Sequence, residues 1–247
     1  MAEPKWLQDM NPEEYLKEDF EATGHSRYTV DGLDKNDPEW LDKAAAKVGA
    51  AEGDDYVKLD SGLLTVNQIN WMLRNTFGEL TFVDDNNQFL WYNRPQDPNY
   101  KMKAGRVPAQ VGDTMGTIHP DIRDVIPNAK KVVHALRTKE GGHDAVWMPV
   151  PTGNLTELVL HYYKRVEDEE GNYMGIYEWV QDIYPFVKYF CESTGQKLVV
   201  DPDASTGATY RRNSDPDAKT GPSTKAAAAK EEEKPAEPEA TSGASHH

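Results

Sequence analysis

Residues 79–93 limit the possible folds of this chain more than any other stretch, because they predict a β-hairpin. Residues 80–83 and residues 89–92 are rich in β-branched and aromatic side chains, which favour strands. Between them, residues 84–87 read Asp-Asp-Asn-Asn. Asn and Asp accept a positive φ and hydrogen-bond to their own backbone, so a tight turn is expected there. The other elements can be placed relative to this antiparallel strand pair.

Helical patterns flank the hairpin on both sides. A capping-box sequence starts at Thr65, and apolar residues with helical spacing follow it, so residues 64–77 are predicted to form a helix. Prolines and glycines interrupt residues 94–116 and predict loops with short helical turns. Residues 120–138 show the helical period again, although Pro127 is expected to kink this helix or divide it in two.

Three further strands are predicted after this helix, at residues 143–150, 155–166 and 173–183. Both faces of the last strand carry bulky side chains. A sheet with one face in water would alternate apolar with polar residues instead. The second face is therefore expected to be covered by helices of this chain or by another subunit.

The two ends of the chain differ from its centre. Residues 1–60 contain 16 acidic and 7 basic residues, so they are predicted to be an acidic N-terminal extension. Two short helices are expected there, after Asn11 and after Asp37, because each of these capping residues precedes a proline. They form a partly ordered arm, a docked cap or a dimer arm. Residues 196–247 are rich in Ser, Gly, Pro, Ala, Lys and Glu and are predicted to be a disordered tail.

Composition argues against several classes of protein. The net charge of −15 argues against nucleic acid as a partner, because phosphate binding needs clustered Lys and Arg. No apolar run has the length of a membrane-spanning helix. Cys191 is the only cysteine, so no internal disulfide is expected, and a cytoplasmic location is predicted. No phosphate-binding glycine loop or nucleophile motif is present, which favours a protein that is not an enzyme.

The predicted order is helix, two strands, short helices, long helix and three strands. This α+β order, a five-stranded antiparallel sheet with inserted helices, resembles the PAS fold. Over about residues 62–192 the sequence is similar to the PAS type found at the C-terminus of hemerythrin-domain proteins. The segments that carry this resemblance are residues 64–70, 81–84, 106–108, 111–112, 118–120 and 174–183. Ile118 stands where that family has a cysteine, so no thiol role is expected at this position.

The resemblance implies a sensory or interaction module, often dimeric, with a pocket between the sheet and the inserted helices. The predicted division is an acidic extension at residues 1–60, a PAS-like domain at 61–195 and a tail at 196–247. The resemblance leaves the ligand undetermined, because fold alone does not specify function.

Histidines are the first candidates for a cofactor site. Haem-binding PAS domains have a histidine near the inserted long helix, and His119 matches that place, so the resemblance implies a haem ligand. Alternatively, His119 caps a helix or hydrogen-bonds to a neighbouring loop. His161 is a candidate for lining the pocket, whereas His134 is predicted to lie on a solvated surface with Lys130 and Arg137. His143 and His161 do not show metal-ligand spacing.

Tryptophans are the second group of candidates. Trp91, Trp147 and Trp179 fall on three different predicted strands. They are candidate walls for a flat cofactor such as haem or flavin, or else they belong to the sheet core or to a dimer surface.

The main prediction is a non-enzymatic PAS-type sensory or interaction protein that binds a small molecule or a protein partner and forms a homodimer. The first alternative is a redox or gas sensor that holds haem or flavin through His119 or the tryptophans. A small-molecule enzyme is the third alternative, and the sequence gives it little support.

Overall fold

The computed structural model describes residues 4–21, 28–97, 99–119, 125–150, 152, 154 and 156–199. Helices and strands combine there into an α+β architecture with a two-stranded and a five-stranded antiparallel sheet. The α-helices are α1 (Lys5–Gln8), α2 (Pro12–Tyr15), α3 (Trp40–Val48), α4 (Val66–Arg74), α5 (Met115–Ile118), α6 (Val125–Thr138) and α7 (Tyr184–Thr194). The strands are β1 (Tyr56–Leu59), β2 (Gly62–Thr65), β3 (Glu79–Asp84), β4 (Phe89–Tyr92), β5 (Ala145–Val150), β6 (Val159–Glu167) and β7 (Tyr173–Asp182).

The predicted five-stranded antiparallel sheet is confirmed, with the strand order β4-β3-β7-β6-β5. The hairpin predicted for residues 79–93 consists of β3 and β4. The Asp84 carboxylate fixes its turn by accepting hydrogen bonds from the backbone N–H groups of Asn86 and Gln88. Asn87 has a left-handed φ of 64°, a conformation that asparagine adopts more readily than most residues.

The strand register gives the large sheet two distinct faces. Val83 of β3 pairs with Ile176 of β7, and Ile176 pairs with Arg165 of β6. Val83 and Ile176 belong to the buried core that also contains residues of α5 and α6. We call this side of the sheet the inner face. Side chains alternate along a strand, so the residues between these positions point to the opposite side, the outer face.

The inner face and the inserted helices enclose the main core. Val132, Val133 and Leu136 come from α6, and Met115 and Ile118 come from α5, and all five are buried. Their helical spacing is the pattern that predicts α6 from the sequence. The core therefore lies between one helical layer and one face of the sheet.

Pro127 does not divide α6, which is continuous from Val125 to Thr138. The predicted start of this helix, at residues 120–124, lies outside the described residues.

The helix predicted before the hairpin is α4. Its capping box is confirmed, because the Thr65 side chain accepts from the Gln68 backbone N–H while the Gln68 side chain accepts from the Thr65 N–H. The helix ends at Arg74, three residues earlier than predicted. Asn75 closes its last turn by donating from the side-chain amide to the Trp71 carbonyl.

The N-terminal extension packs on the helical layer. Leu7 and Phe20 are buried in the same core as Leu136 of α6. The first expected helix is limited to the single turn of α2, and one turn is too short to be stable alone in water. Tertiary contacts therefore hold this segment in place, as expected for a docked cap.

The second expected helix is α3, and it ends before Gly49, which has a left-handed φ. Trp40 is buried and lies against Gly112, in the loop before α5. In contrast, the hairpin of β1 and β2 and the short helix α1 are absent from the sequence prediction. Both strands of this hairpin are only four residues long and mostly exposed, so they lack the apolar alternation that reveals a half-buried strand.

At the other end, α7 follows directly after β7 and ends before Gly195, which has a left-handed φ. The predicted tail begins at residue 196, and from residue 200 onward it lies outside the described residues. Within the described part of the chain, no helix has both the length and the apolar character to cross a membrane.

Candidate functional site

A cluster of polar side chains lies on the inner face of the large sheet. Tyr163 of β6 and Glu178 of β7 are register partners, and His161 lies two residues before Tyr163. Arg106, from the loop between β4 and α5, donates from its Nη2 to Glu178 Oε2 at 3.1 Å. His161 Nδ1 lies 3.0 Å from Tyr163 Oη and 3.5 Å from Glu178 Oε1. We call these four residues the inner polar cluster.

Glu178 is the anionic centre of the cluster. Burial by itself raises the pKa of a carboxyl group. The positive charge of Arg106 and the hydrogen bond from His161 outweigh burial here and hold the pKa of Glu178 well below its usual value. Glu178 is therefore ionised at neutral pH, and it forms a buried ion pair with Arg106.

One buried donor of Arg106 has no hydrogen-bond partner among the described residues. The Nε atom of Arg106 is buried, and no described residue accepts a hydrogen bond from this atom. The guanidinium carbon lies 5.6 Å from the centre of the Phe89 ring, in a cation–π contact. A buried donor without an acceptor costs about 1–3 kcal/mol, so an uncompensated N–H group at this place requires an explanation.

The His161 side chain is partly exposed although its neighbours in the sheet are buried. Its register partners Met148 and Val180 are 1% and 0% exposed. The His161 side chain itself is 18% exposed, and that of Arg106 is 12% exposed. Both side chains therefore keep some accessible surface in a part of the sheet that is otherwise buried.

Glu79 positions the loop that carries Arg106. Its fully buried carboxylate accepts from the Tyr100 hydroxyl at 3.0 Å, from the Ala104 N–H at 2.7 Å and from the Lys103 N–H. Burial, and then the charge of Glu79, raise the pKa of Tyr100, so this hydroxyl stays a donor. The loop is thereby anchored two residues before Arg106.

A second group of polar side chains lies on α6, and its contacts contradict the prediction for His134. The sequence places His134 on a solvated surface, and this is wrong. His134 Nδ1 lies 2.8 Å from Glu18 Oε1, and Arg137 Nε donates to Glu18 Oε2 at 3.1 Å. The N-terminal segment supplies Glu18 and covers the polar side of the helix, an effect that the sequence of α6 alone does not show.

The three candidate tryptophans lie on the outer face. Trp91 pairs with Phe82, Trp179 pairs with Leu80, and Trp147 pairs with Tyr162. Along each strand, these positions alternate with the positions of the inner-face residues. The tryptophans therefore do not share a space with His161, which is the only predicted pocket residue on the inner face.

His119 follows α5 on the helical side of the sheet. Its Nδ1 lies 2.8 Å from the Met115 carbonyl oxygen, and because a carbonyl can only accept, Nδ1 carries the proton. This contact agrees with the alternative in which His119 caps a helix. The His119 ring also lies 6.2 Å from the Phe20 ring, and the sheet separates it from the outer-face tryptophans. His143 stacks on Trp6 at 4.1 Å.

Within the residues that the structure describes, no group of three or more His, Cys, Asp or Glu side chains could hold a metal ion. Cys191 lies on α7, the helix that follows β7, and is partly exposed.

Sequence reasoning missed Arg106, Tyr163 and Glu178. One signal for Glu178 is present, because it alternates in phase with Ile176 and Val180, which are inward-facing apolar residues. A charged residue at an inward position of a strand indicates a buried partner. No comparable signal marks Arg106, because it lies in an irregular loop.

Comparisons with known proteins agree with this architecture. A family model described as "PAS domain" matches residues 69–184. A C-terminal domain from Streptococcus mutans, solved by crystallography, is 33% identical with a TM-score of 0.50, and the match covers 56% of this chain and 99% of that chain. The PAS domain of Bordetella pertussis BvgS is 17% identical with a TM-score of 0.31, covering 52% of this chain and 95% of that chain.

The VqmA protein of Vibrio cholera, solved as a complex with ligand and DNA, is 16% identical with a TM-score of 0.32. That match covers 56% of this chain and 61% of VqmA. No curated protein matches the sequence.

Proposed function

Because residues 69–184 form a PAS domain, generally a sensory or interaction module, we propose that this chain senses a small molecule without catalysing a reaction on it. The molecule binds beside the inner polar cluster, between the inner face and the covering elements. The buried Arg106 Nε that no described acceptor satisfies carries this proposal. A ligand acceptor at this point removes the cost of the unpaired donor.

Two further observations support the site. The partial exposure of His161 between fully buried neighbours provides a place for a ligand atom. The anchored loop at Glu79 holds Arg106 in position before a ligand arrives, and such preorganisation lowers the cost of binding.

A small diffusible molecule is favoured over haem or flavin. The tryptophans that are candidate walls for a flat cofactor lie across the sheet from His119. The haem or flavin alternative remains a separate prediction, and an absorption spectrum of the purified protein tests it. No visible band, before or after adding haem or flavin, would remove that alternative.

Self-association of the domain is the proposed route of output. Five aromatic residues on the outside of the domain form a surface that we call the outer aromatic surface: Phe77, Trp147, Tyr162, Trp179 and Phe186. We propose that this surface forms a homodimer. A separate protein partner is the alternative occupant.

The proposal also includes the finer PAS type, the type associated with hemerythrin-domain proteins, which the sequence segments around residues 106–120 and 174–183 support. The proposed boundaries are residues 1–60 for the N-terminal extension and residues 61–195 for the PAS domain. A cytoplasmic location stays a prediction from the single cysteine and the acidic composition.

The test of the proposed site is a fragment screen by NMR, with a library that holds neutral, anionic and cationic compounds in equal shares. We expect hits to shift the backbone signals of His161, Tyr163 and Glu178 but not those of Trp147. If no compound of any class shifts the inner-face signals, the ligand-sensing proposal is wrong.

A further inference from the structure

The inner polar cluster carries information on the class of its ligand. We propose that the site binds a small neutral molecule that presents a hydrogen-bond acceptor, such as an amide or ketone oxygen, to Arg106 Nε. This inference rests on the proposed function, because it concerns the same site.

The charge balance of the cluster excludes an anion as the preferred ligand. The Arg106 guanidinium already faces the ionised Glu178 carboxylate at 3.1 Å, and the pair is buried. A second carboxylate, Glu79, lies on the same face of the neighbouring strand. An added anion would lie beside a compensated arginine and near two carboxylates, and burying such an uncompensated charge is costly.

A cation is excluded for a different reason. Both oxygens of Glu178 have partners, since Oε2 accepts from Arg106 and Oε1 faces His161. The Glu79 carboxylate accepts three hydrogen bonds from the loop at residues 100–104. A cationic ligand would therefore meet the Arg106 guanidinium without gaining a free carboxylate oxygen.

The remaining group is a buried N–H donor of Arg106 that has no acceptor among the described residues. Arg106 Nε needs one acceptor, and its guanidinium lies over the Phe89 ring. The Tyr92 ring stacks on Phe89 with 5.9 Å between ring centres. A flat neutral molecule satisfies the donor with its polar end and contacts the partly exposed Tyr92 ring with its apolar part.

Three probes of matched shape test the ligand class: benzamide, benzoate and benzylamine. Each is titrated into the full-length protein at neutral pH and followed by NMR shifts of His161, Tyr163 and Glu178. We expect benzamide to bind, and benzoate and benzylamine to bind at least about tenfold more weakly. A benzoate or benzylamine affinity equal to or above that of benzamide overturns the proposed ligand class.

Variants at the ion pair sharpen this test. Glu178→Gln removes the compensating charge, so benzoate affinity is expected to rise at least about tenfold over the wild-type value. Arg106→Met removes the donor and is expected to weaken benzamide about tenfold. Trp147→Ala, on the outer face, is the control and should change neither affinity. Benzamide binding that is unaffected by Arg106→Met overturns the inference.

The two proposals fail in different ways. If charged probes bind better than benzamide but still shift the inner-face signals, only the ligand class is wrong and the sensing site stands. If none of the three probes and no compound of the fragment library shifts those signals, both proposals are wrong. The wild-type comparison does not depend on the variants, so it remains decisive if either variant fails to fold.

Discussion

Glu79 shows how one buried side chain can organise a loop. Its two carboxylate oxygens accept three hydrogen bonds from the loop at residues 100–104. In a Glu79→Gln variant, one oxygen becomes an NH₂ group that faces N–H donors. We expect the free energy of unfolding to fall by about 2 kcal/mol, because hydrogen bonds to a charged acceptor are lost. Urea denaturation measures this change.

The matched control is Glu157→Gln. Glu157 pairs with the side chain of Lys103, a residue of the same loop, but this ion pair is partly exposed, with 38% of the Lys103 side chain and 22% of the Glu157 side chain accessible. Exposed ion pairs contribute little to stability, so we expect a loss below about 1 kcal/mol. Equal losses in both variants would show that Glu79 is not the anchor of the loop.

Gly175 is a position where the sheet tolerates only glycine. It faces Asp84 in the register of β3 and β7, its φ is +135°, and an added Cβ would lie 2.2 Å from the Val83 carbonyl oxygen. Gly175→Ala should therefore force the two central strands apart and lower the free energy of unfolding by about 3 kcal/mol or more.

Gly171→Ala is the control for this effect. Gly171 also has a positive φ, of +83°, but open space surrounds its Cβ position. Only the left-handed strain remains, about 1–2 kcal/mol. Thermal unfolding of both variants separates steric contact from strain, and a smaller loss for Gly175→Ala than for Gly171→Ala would contradict the close strand approach.

At the scale of elements, α6 is covered on two sides. The sheet packs on one side, and the N-terminal segment packs on the other through Leu7 and Phe20. Leu7 is fully buried although it lies in a one-turn helix near the chain start. Leu7→Ala should thus cost about 3 kcal/mol, as expected for a cavity in a core.

Leu16→Ala is the matched control, because Leu16 lies in the same segment but is exposed. Its expected effect on the free energy of unfolding is within about 0.5 kcal/mol. Urea denaturation of both variants measures the difference. If Leu7→Ala is as harmless as Leu16→Ala, the N-terminal segment is not part of the core in solution.

Elements with a local signal are the ones that the sequence predicts. The capping box at Thr65, the helical period of α6 and the polar turn at residues 84–87 each depend on neighbouring residues only, and each is found in the structure. The docking of Leu7 and the contact between Glu18 and His134 join residues far apart in sequence. No local pattern contains such contacts. The sequence therefore predicts short helices at the N-terminus, but it does not predict the surface of α6 on which they pack.

At the scale of the whole molecule, the same limit applies to the candidate site. The alternation along β7 predicts two faces, but it does not say which face the inserted helices cover. The tryptophans were therefore candidates for the pocket, whereas the register puts them on the outer face. Arg106 reaches Glu178 from a loop without periodicity, across 72 positions in sequence. The site thus depends on tertiary packing that a pattern of residue types does not encode.

The outer aromatic surface is continuous across the sheet and its neighbours. Trp147 lies 4.2 Å from Tyr162 between ring centres, and Tyr162 is the register partner of Trp179. Trp179 Nε1 donates to the Phe77 carbonyl at 3.0 Å, and the Phe77 ring contacts the Phe186 ring edge-on at 5.3 Å. Trp147 is 52% exposed and Phe77 is 74% exposed. A contiguous exposed aromatic surface of this kind is typical of a protein interface.

A two-fold homodimer brings this surface against its own copy and buries the aromatic rings of both chains. We therefore expect the wild-type protein to sediment as a dimer at high micromolar concentration. Trp147→Lys places a charge in the interface and should shift the population to monomer, with at least a tenfold weaker association, about 1.4 kcal/mol.

Leu41→Lys is the control, because Leu41 is 60% exposed and Trp147 is 52% exposed. Leu41 lies on α3, whose Trp40 packs on the loop before α5 and not on the outer aromatic surface. This control should remain dimeric. A wild-type chain that is monomeric at high micromolar concentration contradicts the homodimer, and a monomer produced equally by Leu41→Lys places the interface elsewhere on the molecule.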